Sequence, residues 1–379
     1  MTTIPLSLYV HVPWCVRKCP YCDFNSHQQH GELPEQAYVD ALLDDLDRDL
    51  AGAGARPLQS IFIGGGTPSL FSAQSYERLL GELRKRLHFA DDIEITLEAN
   101  PGTFEQAKFR DYRSIGINRL SIGIQSFDAL QLQRLGRIHN GDEALRAADI
   151  ARQSGFDNFN LDLMFGLPGQ SEAQALQDLQ QAIACQPTHL SWYQLTIEPN
   201  TEFFRRPPVL PADDAVADMQ QAGIALLASA GFKRYEVSAF ARAGRTSRHN
   251  LNYWQFGDYL GIGAGAHGKL THTGTDGALV VERMRKTRMP QHYLAAAGQY
   301  TVERKAVPAS ELPFEFMMNA LRLCEGVDSG LYHVRTGLGL PAATMQKLTN
   351  RQLLQADPGR IAPTPLGLEH LNTVLQEFM

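Results

Sequence analysis

The chain has 379 residues, 44% of them hydrophobic and 20% charged, with 35 basic against 41 acidic side chains and a net charge of −6. These values suit a globular protein of one large domain, or of a large and a small one. They exclude a disordered chain, a collagen-like repeat and a small disulfide-stapled scaffold. The acidic balance is the wrong sign for a protein that grips phosphate backbone, so nucleic acid is not expected as a partner.

No apolar run approaches the eighteen or so residues a spanning helix requires. Met1–Val12 lacks the basic start and small-residue cleavage site of a signal peptide. Of five cysteines, three fall within eight positions, which suits a ligand cluster in a reducing compartment better than disulfides. A cytoplasmic location is therefore expected.

Leu6–Val12, Ser60–Gly64, Glu94–Glu98, Arg119–Gln125, Asn160–Phe165 and His189–Thr196 read as strands, several of them nearly continuous apolar runs. Helical patterns lie between them. Pro34 opens one in which Tyr38, Leu42, Leu43, Leu46 and Leu50 recur at helical spacing, and another runs from Asp142 to Ser154 and meets Gly155. Alternation repeated about six times predicts an α/β protein with a parallel sheet, open or closed. Polar and glycine-rich residues gather at the C-terminal strand ends: Gly64-Gly65-Gly66-Thr67, Glu98-Ala99-Asn100, Gln125 and Gly166-Leu167-Pro168-Gly169. Parallel α/β proteins build their sites on that edge.

Pro207, Pro208 and Pro211 mark a change of rhythm. A helix is predicted from Asp213 to Ala230, then an irregular, glycine-rich stretch to His267. From Pro290 the chain reads as mainly helical, with Arg360–Thr364 as a short strand and Leu368, Leu371, Leu375 and Phe378 as a late apolar stripe. The expected division is 1–206 for the parallel core, 207–289 for an extension and 290–379 for a small, mainly helical C-terminal domain.

Cys15, Cys19 and Cys22 form C-x3-C-x2-C on the loop after the first strand. Zinc would need a fourth ligand, for which His11, Asp23 and His27 are at hand. A C-x2-C redox pair would leave Cys15 unexplained, and buried structural cysteines seldom crowd a loop flanked by Pro13 and Pro20. The sharper reading is a 4Fe–4S cluster held by three thiolates, with one iron left open to a small molecule.

C-x3-C-x2-C with Tyr21 before the last cysteine resembles the signature of the radical S-adenosylmethionine superfamily. That resemblance implies that the methionine moiety of S-adenosylmethionine chelates the open iron and that one electron from the cluster cleaves the sulfonium. Read in that light, Gly65-Gly66-Thr67 lets backbone approach a ligand, although a glycine triplet alone is more often a tight turn. Glu98 suits ribose hydroxyls or the cofactor's positive groups. Arg137 suits a carboxylate, though a surface arginine is the ordinary reading. Asp162, an acid inside an apolar run, must be paired or functional.

With Tyr9, Gln125 and the three cysteines, these residues resemble the oxygen-independent coproporphyrinogen III oxidase family in order and spacing over most of the chain. The resemblance implies that Tyr9, Tyr21, Gly65, Gly66, Thr67, Glu98, Gln125, Arg137 and Asp162 contact S-adenosylmethionine. It also implies a partial (βα)6 barrel with a C-terminal domain. Two departures set the chain apart from the decarboxylases of that family: Phe24 replaces a further cysteine, and no long extension precedes the first strand. Coproporphyrinogen oxidation is therefore disfavoured, and no catalytic side chain is assigned. The HemW-type heme chaperones of the family share both departures.

His249-Asn250-Leu251-Asn252-Tyr253-Trp254 supplies a second signal. On a helix, His249 and Tyr253 share a face, as do Asn250 and Trp254. Imidazole is a common heme ligand, although an isolated His-aromatic pair is more often ordinary core. The string resembles the H-N-x-x-Y-W motif of the heme-chaperone branch, which implies heme binding by His249, Asn250, Tyr253 and Trp254. His267, among alternating glycines, is a further candidate near the cofactor. The resemblance further implies heme delivery to respiratory-chain proteins and a cluster-dependent homodimer. Peripheral membrane contact is compatible with such delivery, although no amphipathic anchor stands out.

Overall fold

The computed structural model describes residues 4–102 and 106–379. Six parallel strands follow the apolar runs of the first half: β1 (Leu6–Val12), β2 (Leu58–Gly65), β3 (Phe89–Ala99), β4 (Arg119–Gln125), β5 (Phe159–Phe165) and β6 (His189–Gln194). They lie in chain order, each beside the next. Runs such as Leu-Ser-Leu-Tyr-Val-His-Val in β1 are buried at nearly every position, because helices cover the sheet.

The helix Glu35–Ala53 buries Tyr38, Leu42 and Leu46, and its acidic end meets the loop after β2, where Glu35 accepts from the Ser72 amide at 2.9 Å. Gly141–Gln153 is started by an Asn140/Glu143 capping box and stopped near Gly155, whose φ is 87°. Fully burying each large apolar side chain in such faces contributes about 1.5–3 kcal/mol before ordering costs.

The stretch from Ser229 to His267 is more regular than its composition suggests. It holds β7 (Lys233–Glu236), β8 (Ala239–Ala241), the helix Arg248–Trp254 and β9 (Asp258–Ile262). β9 is a seventh parallel strand, laid against the other side of β1. Its apolar signal is broken by Asp258, which is buried with Lys269 at 2.9 Å and Arg56 at 2.7 Å. β10 (His267–Thr273), β11 (Leu279–Lys286) and β12 (Thr301–Ala306) continue antiparallel from β9. β8 and β7 do so beyond β6. Among the described residues the result is one twelve-stranded sheet with β12 and β7 at its edges, an unclosed barrel.

Helices Leu312–Ala320, Gly330–Thr336, Ala342–Asn350, Pro365–Glu369 and Leu371–Gln376 form the tail around their own core, which includes Phe316, Tyr332, Leu348 and Phe378. Leu251 and Trp254 pack against that core and join it to the sheet. Among the described residues no helix is long and apolar enough to cross a membrane.

Candidate functional site

The loop after β1 is held at both ends. Trp14–Cys15 pairs with His27–Gln28, and Lys18 donates to the Phe24 and Ser26 carbonyls, each at 3.2 Å. Cys15, Cys19 and Cys22 are free thiols that open onto one cavity of about 340 Å³. Burial raises the Cys15 and Cys22 thiols above their usual range.

The glycine turn after β2 is sewn to this loop by the Gly66 amide on the Val12 carbonyl and the Thr67 amide on the Trp14 carbonyl, both at 2.7 Å. A Cβ at Gly66 would stand 2.5 Å from the Trp14 carbonyl oxygen and 3.0 Å from the Cys15 sulfur. Glycine is required there for close approach.

The next strand ends furnish the same cavity. Arg137 reaches in from the segment after β4, with one guanidinium nitrogen 2.7 Å from Asn100 Oδ1 and 2.6 Å from the Gly123 carbonyl. Its other terminal nitrogen lies 3.7 Å from the Cys19 sulfur. Asn100 in turn donates to Thr67 Oγ1 at 3.1 Å. Gln125 takes a positive φ of 71° at the end of β4 and accepts from the Tyr193 hydroxyl at 2.8 Å.

Two acids complete the lining. Glu98 accepts from the Gly65 amide at 3.0 Å, yet burial and then repulsion from Asp162 push its carboxyl up to about 8. Asp162 accepts from Ser121 at 2.9 Å and Asn160 at 2.8 Å, and burial raises it as well. A buried pair of carboxyls that repel each other is the environment a cationic ligand relieves, while Arg137 offers a fork for a carboxylate. S-adenosylmethionine carries both kinds of charge, so these residues fit it.

Of the nine residues expected to contact S-adenosylmethionine, Tyr21, Gly65, Gly66, Thr67, Glu98, Gln125, Arg137 and Asp162 line this cavity. Tyr9 lies instead on a neighbouring cavity of about 510 Å³, whose walls include His11, Phe24, Gly65, Glu98, Tyr253, Tyr259 and His267. Asn100, Ser121 and Tyr193 join the central lining without having been singled out as contacts. Asn100 and Tyr193 stand at the C-terminal ends of the strands already recognised, a signal that could have found them.

The zinc alternative finds little support. Both ring nitrogens of His11 are engaged, by the Tyr9 hydroxyl and the Asn25 carbonyl at 2.9 Å each, and burial lowers the ring to about 4.

The H-N-x-x-Y-W segment forms the helix Arg248–Trp254, and its residues part company. Asn250 and Trp254 face the central cavity and Tyr253 the neighbouring one. His249 is 1% exposed beneath them. Its Nδ1 lies 3.0 Å from Ser60 Oγ, its Nε2 lies 2.8 Å from the Tyr253 hydroxyl, and its ring stacks on Phe62. Burial lowers it to about 3.

A parallel sheet with three cysteines after its first strand and polar groups on every following strand end defines a class. Residues 9–182 match the model of the radical SAM superfamily, and residues 307–370 match the HemN C-terminal domain. The fold resembles that of coproporphyrinogen III oxidase (HemN) from Escherichia coli, with a TM-score of 0.82 at 22% identity over 99% of this chain and 90% of that one.

Heme chaperone HemW of Haemophilus influenzae is 56% identical over 99% of this chain and 98% of its own length. HemW of Escherichia coli is 55% identical over 88% and 87%. The mitochondrial radical S-adenosyl methionine domain-containing protein 1 of Bos taurus is 39% identical over 86% and 74%. The chain belongs to the HemW family of heme chaperones within the radical SAM superfamily.

Proposed function

We propose that the protein is a cytoplasmic heme chaperone that carries a 4Fe–4S cluster and S-adenosylmethionine and passes heme to respiratory-chain acceptors. The observation that carries this reading is the opening of Cys15, Cys19 and Cys22 onto the cavity that also presents Arg137, Glu98 and Asp162. The three thiols would hold the cluster. Arg137 would take the cofactor's carboxylate, while Glu98 and Asp162 would face its positive groups. When bound, the cluster supplies one electron and an open iron coordination site. The protein's own contribution is to orient the cofactor and to exclude water with Tyr21, Tyr193 and Gln125.

Phe24 supports transport over decarboxylation. It stands where the decarboxylases of the wider family carry a further cysteine, and it is 62% exposed on the boundary of both cavities. A phenyl ring there cannot do the acid–base or redox chemistry of a thiol, and it can pack on a porphyrin face. The relatives' names point the same way. Cluster-assisted dimerisation and peripheral membrane contact belong to the same reading, as routes by which heme reaches an acceptor.

The test is an anaerobic comparison of two substrates. Cluster-reconstituted protein is expected to take up one heme per chain and yield it to an apo-heme acceptor. Given coproporphyrinogen III, S-adenosylmethionine and a reductant, it is expected to release no carbon dioxide. Sustained carbon dioxide release with protoporphyrinogen formation would overturn the proposal in favour of the oxidase.

A further inference from the structure

We propose that heme is held in the cavity beside the cofactor site, with the His267 imidazole on its iron and Arg285 and Arg288 on its propionates. This placement rests on the heme-carrying function proposed above and specifies where on the chain it is performed.

Three imidazoles come near the two cavities, and the structure separates them. His249 and His11 each have both ring nitrogens engaged, as described above. For His249 to reach an iron, its ring would have to leave Ser60, Tyr253 and the face of Phe62. Each hydrogen bond given up would cost about 0.5–1.5 kcal/mol, although the Ser60 hydroxyl would keep Ser7 at 2.8 Å. His267 is exposed at the start of β10, lines the neighbouring cavity, and has no side-chain hydrogen-bond partner among the described residues. It is the imidazole free to accept a metal.

The surroundings suit the rest of a metalloporphyrin. His267 sits directly opposite Arg285 on the neighbouring antiparallel strand, so the two side chains share a face. Arg285 meets Glu303 at 3.1 Å in an exposed pair, a weak competitor for a second carboxylate. Arg288 is fixed through its backbone, where Asn25 donates to its carbonyl at 2.8 Å, and its guanidinium makes no ion pair among the described residues. Two guanidiniums beside one imidazole match a ligand with one metal and two carboxylates.

Phe24, Tyr253 and Tyr259 supply aromatic walls, the last two in edge contact at 4.5 Å. Burial first, and then Arg285 and the other nearby guanidiniums, lower the His267 ring, which favours the neutral form that binds metals.

The experiment titrates ferric heme into the full-length, cluster-reconstituted protein. Binding is followed by the heme difference spectrum and by the electron paramagnetic resonance of the ferric iron, which a single imidazole leaves high-spin. The wild type is expected to show an imidazole-ligated spectrum. His267→Ala is expected to lose that spectrum, weaken binding by about tenfold or more, and recover the spectrum when free imidazole is added. The Arg285→Gln/Arg288→Gln pair is expected to weaken binding while leaving the ligation spectrum in place.

His249→Gln is expected to keep the spectrum. Should that variant fail to fold, the His267 variant, altered at an exposed position, decides alone. A wild-type spectrum and affinity in His267→Ala would overturn this placement while heme carriage stands. Absence of heme uptake by the wild type would overturn both.

Discussion

The two cavities share Gly65, Glu98 and Phe24, yet they differ in which groups they leave unpartnered. In the central one nearly every polar group is already committed: Arg137 to Asn100 and Gly123, Gln125 to Tyr193, Asp162 to Ser121 and Asn160. In its neighbour Tyr9, His11, Tyr253 and Tyr259 are hydrogen-bonded too, but among the described residues the His267 ring and the Arg288 guanidinium have no side-chain hydrogen-bond partner. A committed lining suits a small cofactor bound in one pose, because orientation is settled before binding. Two unpartnered groups on an otherwise braced wall suit a cargo that must be released again.

The largest test of that contrast removes the cluster. Cys19→Ala takes away one of three thiols, and bound iron and sulfide after anaerobic reconstitution are expected to fall to near zero. If the cavities are separate sites, heme affinity should stay within about twofold of wild type. Loss of heme uptake together with the cluster would merge them into one.

The shared wall gives the next test. Glu98 is held at about 8 by burial and by Asp162, against an ordinary carboxyl value of 4.5. Below pH 4.5 both folded and unfolded chains carry the proton. Between about 4.5 and about 8 only the folded chain keeps it, so this contribution to stability declines as pH rises through that window and is gone above it. The swing is on the order of a few kcal/mol.

In cofactor-free protein, Glu98→Gln is expected to be less pH-sensitive than wild type, read as urea midpoints at pH 5.5 and 8.5. Equal pH slopes would show that the Glu98 carboxyl titrates normally. In wild type, binding of the cationic cofactor should draw the carboxyl back towards ionisation and release a proton near pH 7. Calorimetry in buffers of different ionisation enthalpy detects that proton.

The contrast also separates what could be read in the chain from what could not. β1 and β4 match their apolar runs at both ends, and Cys15, Cys19 and Cys22 declare themselves by spacing. Each signal is local, written within a strand and the loop after it. β9 escaped because Asp258 is made tolerable by Lys269 and Arg56, and Arg56 lies on the far side of the chain. β11 is masked in the same way by Lys286, which is buried against Asp45 at 2.5 Å and Asp49 at 2.6 Å. Helical spacing places His249 and Tyr253 on one face, and the structure has them hydrogen-bonded. Which way that face turns depends on Ser60 and Phe62, about 190 residues earlier, and no periodicity carries that information.

The smallest effect concerns the residue that joins the two sites. Asn25 follows the cysteine loop, and its side-chain amide donates to the Ala264 and Arg288 carbonyls, both at 2.8 Å. The fit is close, since a Cβ on Gly265 would stand 2.3 Å from that amide nitrogen. Asn25→Ala removes both bonds, at a cost of about 1–2 kcal/mol in stability. It leaves the cysteines untouched, so iron content should be unchanged. Arg288, no longer tethered to the cysteine loop, should hold heme about three- to tenfold more weakly, by roughly 1 kcal/mol. An Asn25→Ala protein with unaltered heme affinity would place the propionates elsewhere, whereas one that also loses iron would show that Asn25 braces the cluster loop itself.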